Sequence, residues 1–376
     1  MSHTDSRTHP NLVTTFVRYS EDLEQREPDE DVLIEQIVRS LRRNNEWAAK
    51  KYKHAIRDAH AKGLGVMRGE LAVYPNLPRP FRQGLFANPN TYPVIIRLSS
   101  TAGAIRSDQI RGVRGMALKV LDVSGQRIIP DDGHTTQDFV LVNSDTFPFA
   151  GVRSYAGKGM RLAKILARTP DPLLRAACTL ARGASRILTP LHVRLPEAVQ
   201  LFARPNDHVL GETYHSAAPL RYGDHVAKIC ITPLSDPVKR LTGQRIPRSA
   251  GEDAHRASVE QFLARDNAEY EVRVQLCTDP GKMPVEDATA HWSTKDSPPV
   301  PVARIRIPRQ DTSSDALRTY AEDVLSFNSW NGLADHKPMG SINRLKRRVY
   351  DASSEFRHRV NKIDRVEPTT ASDIPE

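Results

Sequence analysis

Four short runs of this 376-residue chain hold side chains that can do chemistry together: Arg57-Asp-Ala-His60-Ala-Lys-Gly63, Arg97-Leu-Ser99, Gln137-Asp-Phe-Val-Leu-Val-Asn143, and Tyr350 with Arg357 seven residues on. An imidazole takes and returns a proton near neutral pH. A hydroxyl and a carboxamide can orient that imidazole or donate to a bound oxygen. A phenol can bind ferric iron once it ionises, and a nearby cation favours that ionisation. The guanidinium groups of Arg57, Arg97 and Arg357 suit carboxylates through charge-assisted hydrogen bonds. Proton transfer on a peroxide at a buried iron would use this set. Taken singly, each piece has a plainer account: a core histidine, a serine or asparagine closing a turn, arginines in surface salt bridges. Their order and spacing are what carry a resemblance described below.

The elements that must position these residues follow from periodicity. From about 29 to 58, Val32, Leu33, Ile37, Val38, Leu41, Trp47 and Ala48 recur at helical spacing and predict one or two amphipathic helices delivering the chain to His60. Short β-branched or apolar runs then predict strands at Val94-Ile-Ile-Arg-Leu98, Met116-Ala-Leu-Lys-Val-Leu121 and Phe139-Val-Leu-Val142. Helical periodicity returns from about 155 to 201, broken by Pro170 and Pro172, and predicts an inserted helical hairpin. Strands resume at Val226-Ala-Lys-Ile-Cys-Ile231, Tyr270-Glu-Val-Arg-Val-Gln-Leu276 and Val302-Ala-Arg-Ile-Arg-Ile307, with a short helix from about 256 to 266 between them. Two further helices are expected at about 316–324 and 343–360. The sum is an α+β protein on an antiparallel β-barrel, with N-terminal, inserted and C-terminal helices. Such a barrel has room for a ligand where inward side chains are small or the wall opens.

Composition narrows the class. Hydrophobic residues make up 39% and charged residues 26%, with no apolar run of membrane-spanning length. The opening MSHTDSRTHP lacks the apolar core of a secretory signal, so a cytoplasmic protein is expected. Cys178, Cys230 and Cys277 form no CxxC pair and read as buried thiols. The net charge of +9 is spread along the chain, which suits an anionic membrane surface or the binding of an acidic cofactor. Nucleic acid is disfavoured: the basic cluster Arg344, Lys346, Arg347, Arg348 has no aromatic interleaving and splits across two helix faces. Gly63-Leu-Gly65 and Gly112-Val-Arg-Gly115 are turn glycines rather than a dinucleotide loop, and His54, His215, His291 and His336 lack metal-ligand spacing.

With the intervening runs Gln83-Gly-Leu-Phe86, Arg111-Gly-Val-Arg-Gly-Met-Ala-Leu-Lys119, Tyr214-His-Ser216, Arg221-Tyr-Gly223 and Val274-Gln275 to Trp292, the chain resembles the catalase superfamily over roughly 50–360. Its length is closest to the compact catalase-like haem proteins, the branch of catalase-related peroxidases and allene oxide synthases. The resemblance implies haem b (iron protoporphyrin IX), ligated by Tyr350 as in catalase. It makes His60 the distal acid–base, Ser99 the residue that holds its ring, and Asn143 the amide donor to bound peroxide. Arg57, Arg97 and Arg357 match positions that pair with the haem carboxylates, and Phe147 or Phe149 would pack on the haem. The family's arginine four residues before the tyrosine is Lys346 here, so either Lys346 or its neighbour Arg347 must support the phenolate.

The organisation expected is an N-terminal arm over 1–28, one haem-binding domain over 29–365 and a disordered acidic tail over 366–376. Within the domain the barrel spans about 60–310 and the closing helices about 311–362. The resemblance implies an oxidoreductase consuming hydrogen peroxide or an organic hydroperoxide. Its alternatives are a fatty-acid hydroperoxide isomerase or dehydratase, and a haem-binding protein without turnover. Relatives assemble as homo-oligomers, in part through N-terminal arms.

Overall fold

Six runs of alternating or apolar residues become strands where the periodicity places them, and three more complete the sheet. A computed structural model describes residues 15–100, 102–188, 190 and 197–375. Its strands are β1 Lys62–Val73, β2 Thr91–Ser100, β3 Arg114–Val120, β4 Gln137–Val142, β5 Tyr214–His215, β6 Leu220–Tyr222, β7 His225–Pro233, β8 Ala268–Leu276 and β9 Val300–Ile307. They run antiparallel in the order β5-β4-β3-β2-β1-β9-β8-β7-β6, and β5 also pairs with β7. Eight strands therefore close a barrel without free edges, and β6 lies outside as a hairpin on β7.

Alternation alone misses β1, because Gly63, Gly65 and Gly69 interrupt it. The glycines are structural. A bulge separates Gly63 from Gly65 in the pairing with β2. At Gly69 a Cβ would lie 2.5 Å from the Arg306 carbonyl oxygen, so the approach of β1 to β9 excludes any side chain there.

The barrel interior is filled, not hollow. Phe81, Phe86, Tyr214, Tyr222 and Tyr270 are fully buried in its core, and the phenols of Tyr214, Tyr222 and Tyr270 each donate to a main-chain carbonyl. Space for a ligand is consequently outside the barrel, under the helices. The helices that matter are α1 Glu30–Tyr52, α2 Met160–Arg168, α3 Asp171–Leu188, α4 Glu197–Ala203, α5 Ala254–Leu263, α6 Asp315–Thr319 and α7 Ser341–Asn361. α6 runs directly into a π-helical turn, Tyr320–Val324. α1 and α7 are pinned together by the buried Arg344, whose fork meets both Glu30 oxygens at 2.6 and 2.7 Å and which also bonds Glu24 and Glu286.

Both ends of the chain depart from expectation. Residues 1–14 of the expected arm lie outside the described residues, but Phe16 packs on the core and the Val17 amide donates to the Cys277 carbonyl at 2.8 Å. The tail expected to be disordered is strapped to the barrel. Glu367 pairs with the fully buried Lys119, which it shares with Asp138, and accepts from Thr136 and Asn331 at 2.6 and 2.9 Å. Ile374 is buried beside Leu121. An acid that neutralises a buried cation outweighs the polar composition that suggested disorder.

Candidate active site

β4 sends Phe139 and Leu141 into the barrel and Val140 and Val142 outward, by the two-residue alternation of a strand. On α7 the residues Ile342, Leu345, Lys346, Val349 and Tyr350 share one face. Between these two surfaces lies a cavity of about 1090 Å³, closed by α1, by Phe147 and Phe149, and by the inserted helices. His60 and Tyr350 both line it.

His60 sits just before β1 with φ of +55°, a left-handed conformation that few non-glycine residues take. Its Nδ1 lies 2.9 Å from Ser99 Oγ on the neighbouring strand. A Cβ on Gly115 would lie 2.5 Å from the imidazole, so the absence of a side chain on β3 makes the ring's space. Its carbonyl accepts from Arg97 Nη2 at 3.0 Å. Burial first, then the charges of Arg97, Lys346 and Arg57, lower its pKa to about 3. The ring is neutral at physiological pH.

Tyr350 offers the cavity a hydroxyl without a hydrogen-bond partner among the described residues. Burial raises its pKa, and the neighbouring Asp58 and Tyr155 raise it further. Helix geometry sets the two candidate cations on different faces. Lys346 lies on the cavity face, its ammonium 5.6 Å from the centre of the Phe147 ring, with its pKa lowered to about 8 by burial. Arg347 is exposed and stacks over Trp330 at 5.2 Å, away from the cavity.

Two of the three arginines expected on carboxylates, Arg57 and Arg97, do meet at one carboxylate, but it belongs to the protein. Arg57 Nη1 is 2.5 Å from Glu322 Oε2, and Arg97 Nη2 is 2.8 and 2.9 Å from the two Glu322 oxygens. Arg357 donates to the Glu322 and Asp323 carbonyls at 2.5 and 2.7 Å. None of the three lines the cavity; they stand behind the His60 main chain. Asn143 is corrected too. Its Oδ1 accepts from the Arg114 amide at 2.8 Å and its side chain bonds Glu212, so strand-end pairing consumes the amide. Ser144 and Thr146 reach the cavity instead.

No family model matches the sequence, and no curated protein matches it. Among solved structures the fold is similar to catalase A from Saccharomyces cerevisiae, with a TM-score of 0.56 at 16% identity over 93% of this chain and 70% of that one. A fungal catalase matches with a TM-score of 0.55 at 15% identity over 85% of this chain, and a bacterial catalase with 0.54 at 17% over 98%. The chain has the catalase fold. It spans 64% of the length of that fungal catalase and 76% of the bacterial one.

Three further residues bear on this cavity: Asp58 and Tyr155 line it, and Glu322 stands behind it with the arginines. Asp58, two positions before His60, bonds Ser353 on α7 and has its pKa raised by burial; its place inside the histidine run was the one available signal. Tyr155 lines the cavity and packs against Phe149 at 5.5 Å between centroids. Glu322 carries no local signal at all, since only the folded chain brings the π-helical turn to the arginines. The site fits a flat, acidic, iron-bearing macrocycle on three counts. The cavity matches the upper range for cofactor pockets. A phenol stands unpartnered on one wall and a neutral imidazole on another. Behind the His60 main chain, Arg97 Nε and Arg357 Nε are buried donors with no acceptor, next to a single carboxylate shared by Arg57 and Arg97.

Proposed function

We propose that the protein is a haem-dependent enzyme that consumes peroxides, in the compact catalase-related branch. The observation that carries it is that His60 and Tyr350 face one cavity, the imidazole neutral and the phenol unpaired. Haem b, when bound, supplies a ferric centre able to accept the peroxide oxygen. Tyr350 would hold the iron, its proton displaced by the metal because burial, Asp58 and Tyr155 all oppose ionisation otherwise. Ser99 holds the His60 ring; with Nδ1–H donating to Oγ, Nε2 keeps the lone pair that takes a proton from one peroxide oxygen and returns it to the other. Phe147 packs as a wall, and Lys346 contributes positive potential at His60. Arg57, Arg97 and Arg357 would be the cations that pair with the haem carboxylates, Arg57 and Arg97 in exchange for Glu322.

A specific observation favours organic hydroperoxides over hydrogen peroxide alone. Beside the residues that would face the haem, the cavity is lined by Leu162, Leu166 and Ala167 on α2 and Ala203 on α4, an apolar wall suited to an acyl chain. Within that reading, either reduction or isomerisation of a fatty-acid hydroperoxide is served by the same His60.

The test is reconstitution with haem followed by turnover. A Soret band with phenolate-ligated ferric character, lost in Tyr350→Phe, is expected. So is faster consumption of a linoleate hydroperoxide than of hydrogen peroxide, abolished in His60→Ala. Stoichiometric haem with unchanged turnover in His60→Ala would select the non-catalytic alternative.

A further inference from the structure

A surface helix normally buries one stripe and wets the rest. α3 buries Leu174, Cys178 and Ala181 beneath it, yet its outer face is also apolar. Leu173, Leu180 and Ile187 are 61%, 74% and 67% exposed, at seven-residue spacing with Ala176 and Gly183 between them. Ile165 on α2 is 51% exposed. Four of the eight exposed large hydrophobics among the described residues thus fall on this one insert, a concentration that water alone does not favour.

Charge identifies what would cover it. From 153 to 188 the chain holds eight Lys and Arg residues and one acid, Asp171, so that this tenth of the sequence supplies +7 of the net +9. Asp171 is spent on Arg106. Lys158, Arg161, Lys164, Arg168, Arg182 and Arg186 form no ion pair among the described residues. Arg182 and Arg186 lie instead near Arg111, Arg245 and Arg248, with the acid Asp207 beside Arg182 and 4.0 Å from Arg245, and Arg111 Nη1 is buried without a partner. At the edge of the insert Arg168 lies over the half-buried Trp47 ring at 5.5 Å, the amphipathic pairing that suits a membrane–water interface.

We propose that the α2–α3 insert is a docking surface for an anionic lipid bilayer. Leu173, Leu180, Ile187 and Ile165 enter the interface while the surrounding cations meet lipid phosphates. The inner faces of the same helices, through Leu162, Leu166, Ala167 and Ser185, line the cavity. Docking therefore sets the lipid one helix layer from His60. If the peroxide reading holds, on which this step alone rests, the substrate is a hydroperoxide of an acyl chain reached from the membrane side.

The experiment is sedimentation of the full-length protein with vesicles of phosphatidylcholine alone and with 30% phosphatidylglycerol (roughly the anionic content that exposes the charge effect). Binding only to the anionic vesicles is expected, weakened at high salt. Leu173→Ser/Leu180→Ser/Ile187→Ser and Arg161→Gln/Lys164→Gln/Arg186→Gln should each weaken it at least ~10-fold. These side chains are exposed, and circular dichroism confirms that the variants fold. No partition onto anionic vesicles, or equal binding to neutral ones, overturns the proposal. So does light scattering that shows a dimer dissolved by the serine variant, which would make a second copy the occupant. Sedimentation needs neither haem nor peroxide, so loss of the peroxide reading leaves this result standing on its own.

Discussion

Arg97 and Glu322 are joined through one guanidinium nitrogen, Nη2, which lies 2.8 Å from one carboxylate oxygen and 2.9 Å from the other. The same nitrogen reaches the His60 carbonyl at 3.0 Å. A carboxylate carried on a π-helical turn thus holds the strand that carries Ser99 against the residue that carries the imidazole. Glu322 also keeps its pKa below the ordinary value, against the effect of burial, because Arg97 and Arg57 sit beside it.

Glu322→Gln is the first consequence. The guanidinium groups of Arg57 and Arg97 lose their shared anion, and the haem-free protein is expected to lose ~2 kcal/mol in denaturant melts. Haem titration followed at the Soret band should nonetheless show tighter uptake, because the haem carboxylates no longer compete with a side chain. Weaker uptake alongside the lost stability would place the haem carboxylates elsewhere.

His60→Ala should lower kcat/KM for peroxide by ~10²–10⁴. Ser99→Ala, which frees the ring without removing it, should cost roughly 10-fold. Equal losses for the two would mean that Ser99 touches the substrate itself. Asn143→Ala is expected to disturb strand pairing at Arg114 and lower stability while sparing turnover in the protein that remains folded.

Turnover should persist well below pH 6, since the His60 pKa is depressed to about 3. Lys346→Met removes one of the cations responsible, so the acid limb of the pH–rate profile should move upward. The sign for stability is the same. The unfolded imidazole binds its proton near pH 6.5 and the folded one near 3, so its contribution is complete above pH 6.5 and lost as pH falls toward 3. His60→Asn should accordingly shrink the difference between urea midpoints at pH 7.5 and 4.5. An unchanged difference would show that His60 is not buried neutral.

Arg347→Gln should leave the haem spectrum unchanged, because Arg347 stacks on Trp330 and faces away from the cavity. Lys346→Met should shift it. The reverse pattern in the ferric spectra would assign the phenolate-supporting cation to Arg347.

Sequence alone determined much of this protein. Strand alternation located six of the nine strands, and helical spacing located α1, the helices of the insert and α7, although α3 packs on α4 rather than pairing with α2 as a hairpin. The pairing of His60 with Ser99, 39 positions apart, was legible only through the resemblance to the catalase superfamily, not from local spacing. Helical periodicity implied that Lys346 and Tyr350 share a face, though not which face meets the cavity. What only the tertiary structure decided depends on contacts between distant segments. Glu322 reaches Arg97 across 225 positions, and Glu367 reaches Lys119 across 248. β1 was hidden because its glycines answer to β2 and β9 rather than to their own neighbours. Asn143 points to the same limit: a strand-end amide can face a ligand or close a ladder, and the hydrogen bonds available from Arg114 and Glu212 determine which. Local spacing fixes which side chains point together along one element, while the partner each one meets depends on where the other elements close around it.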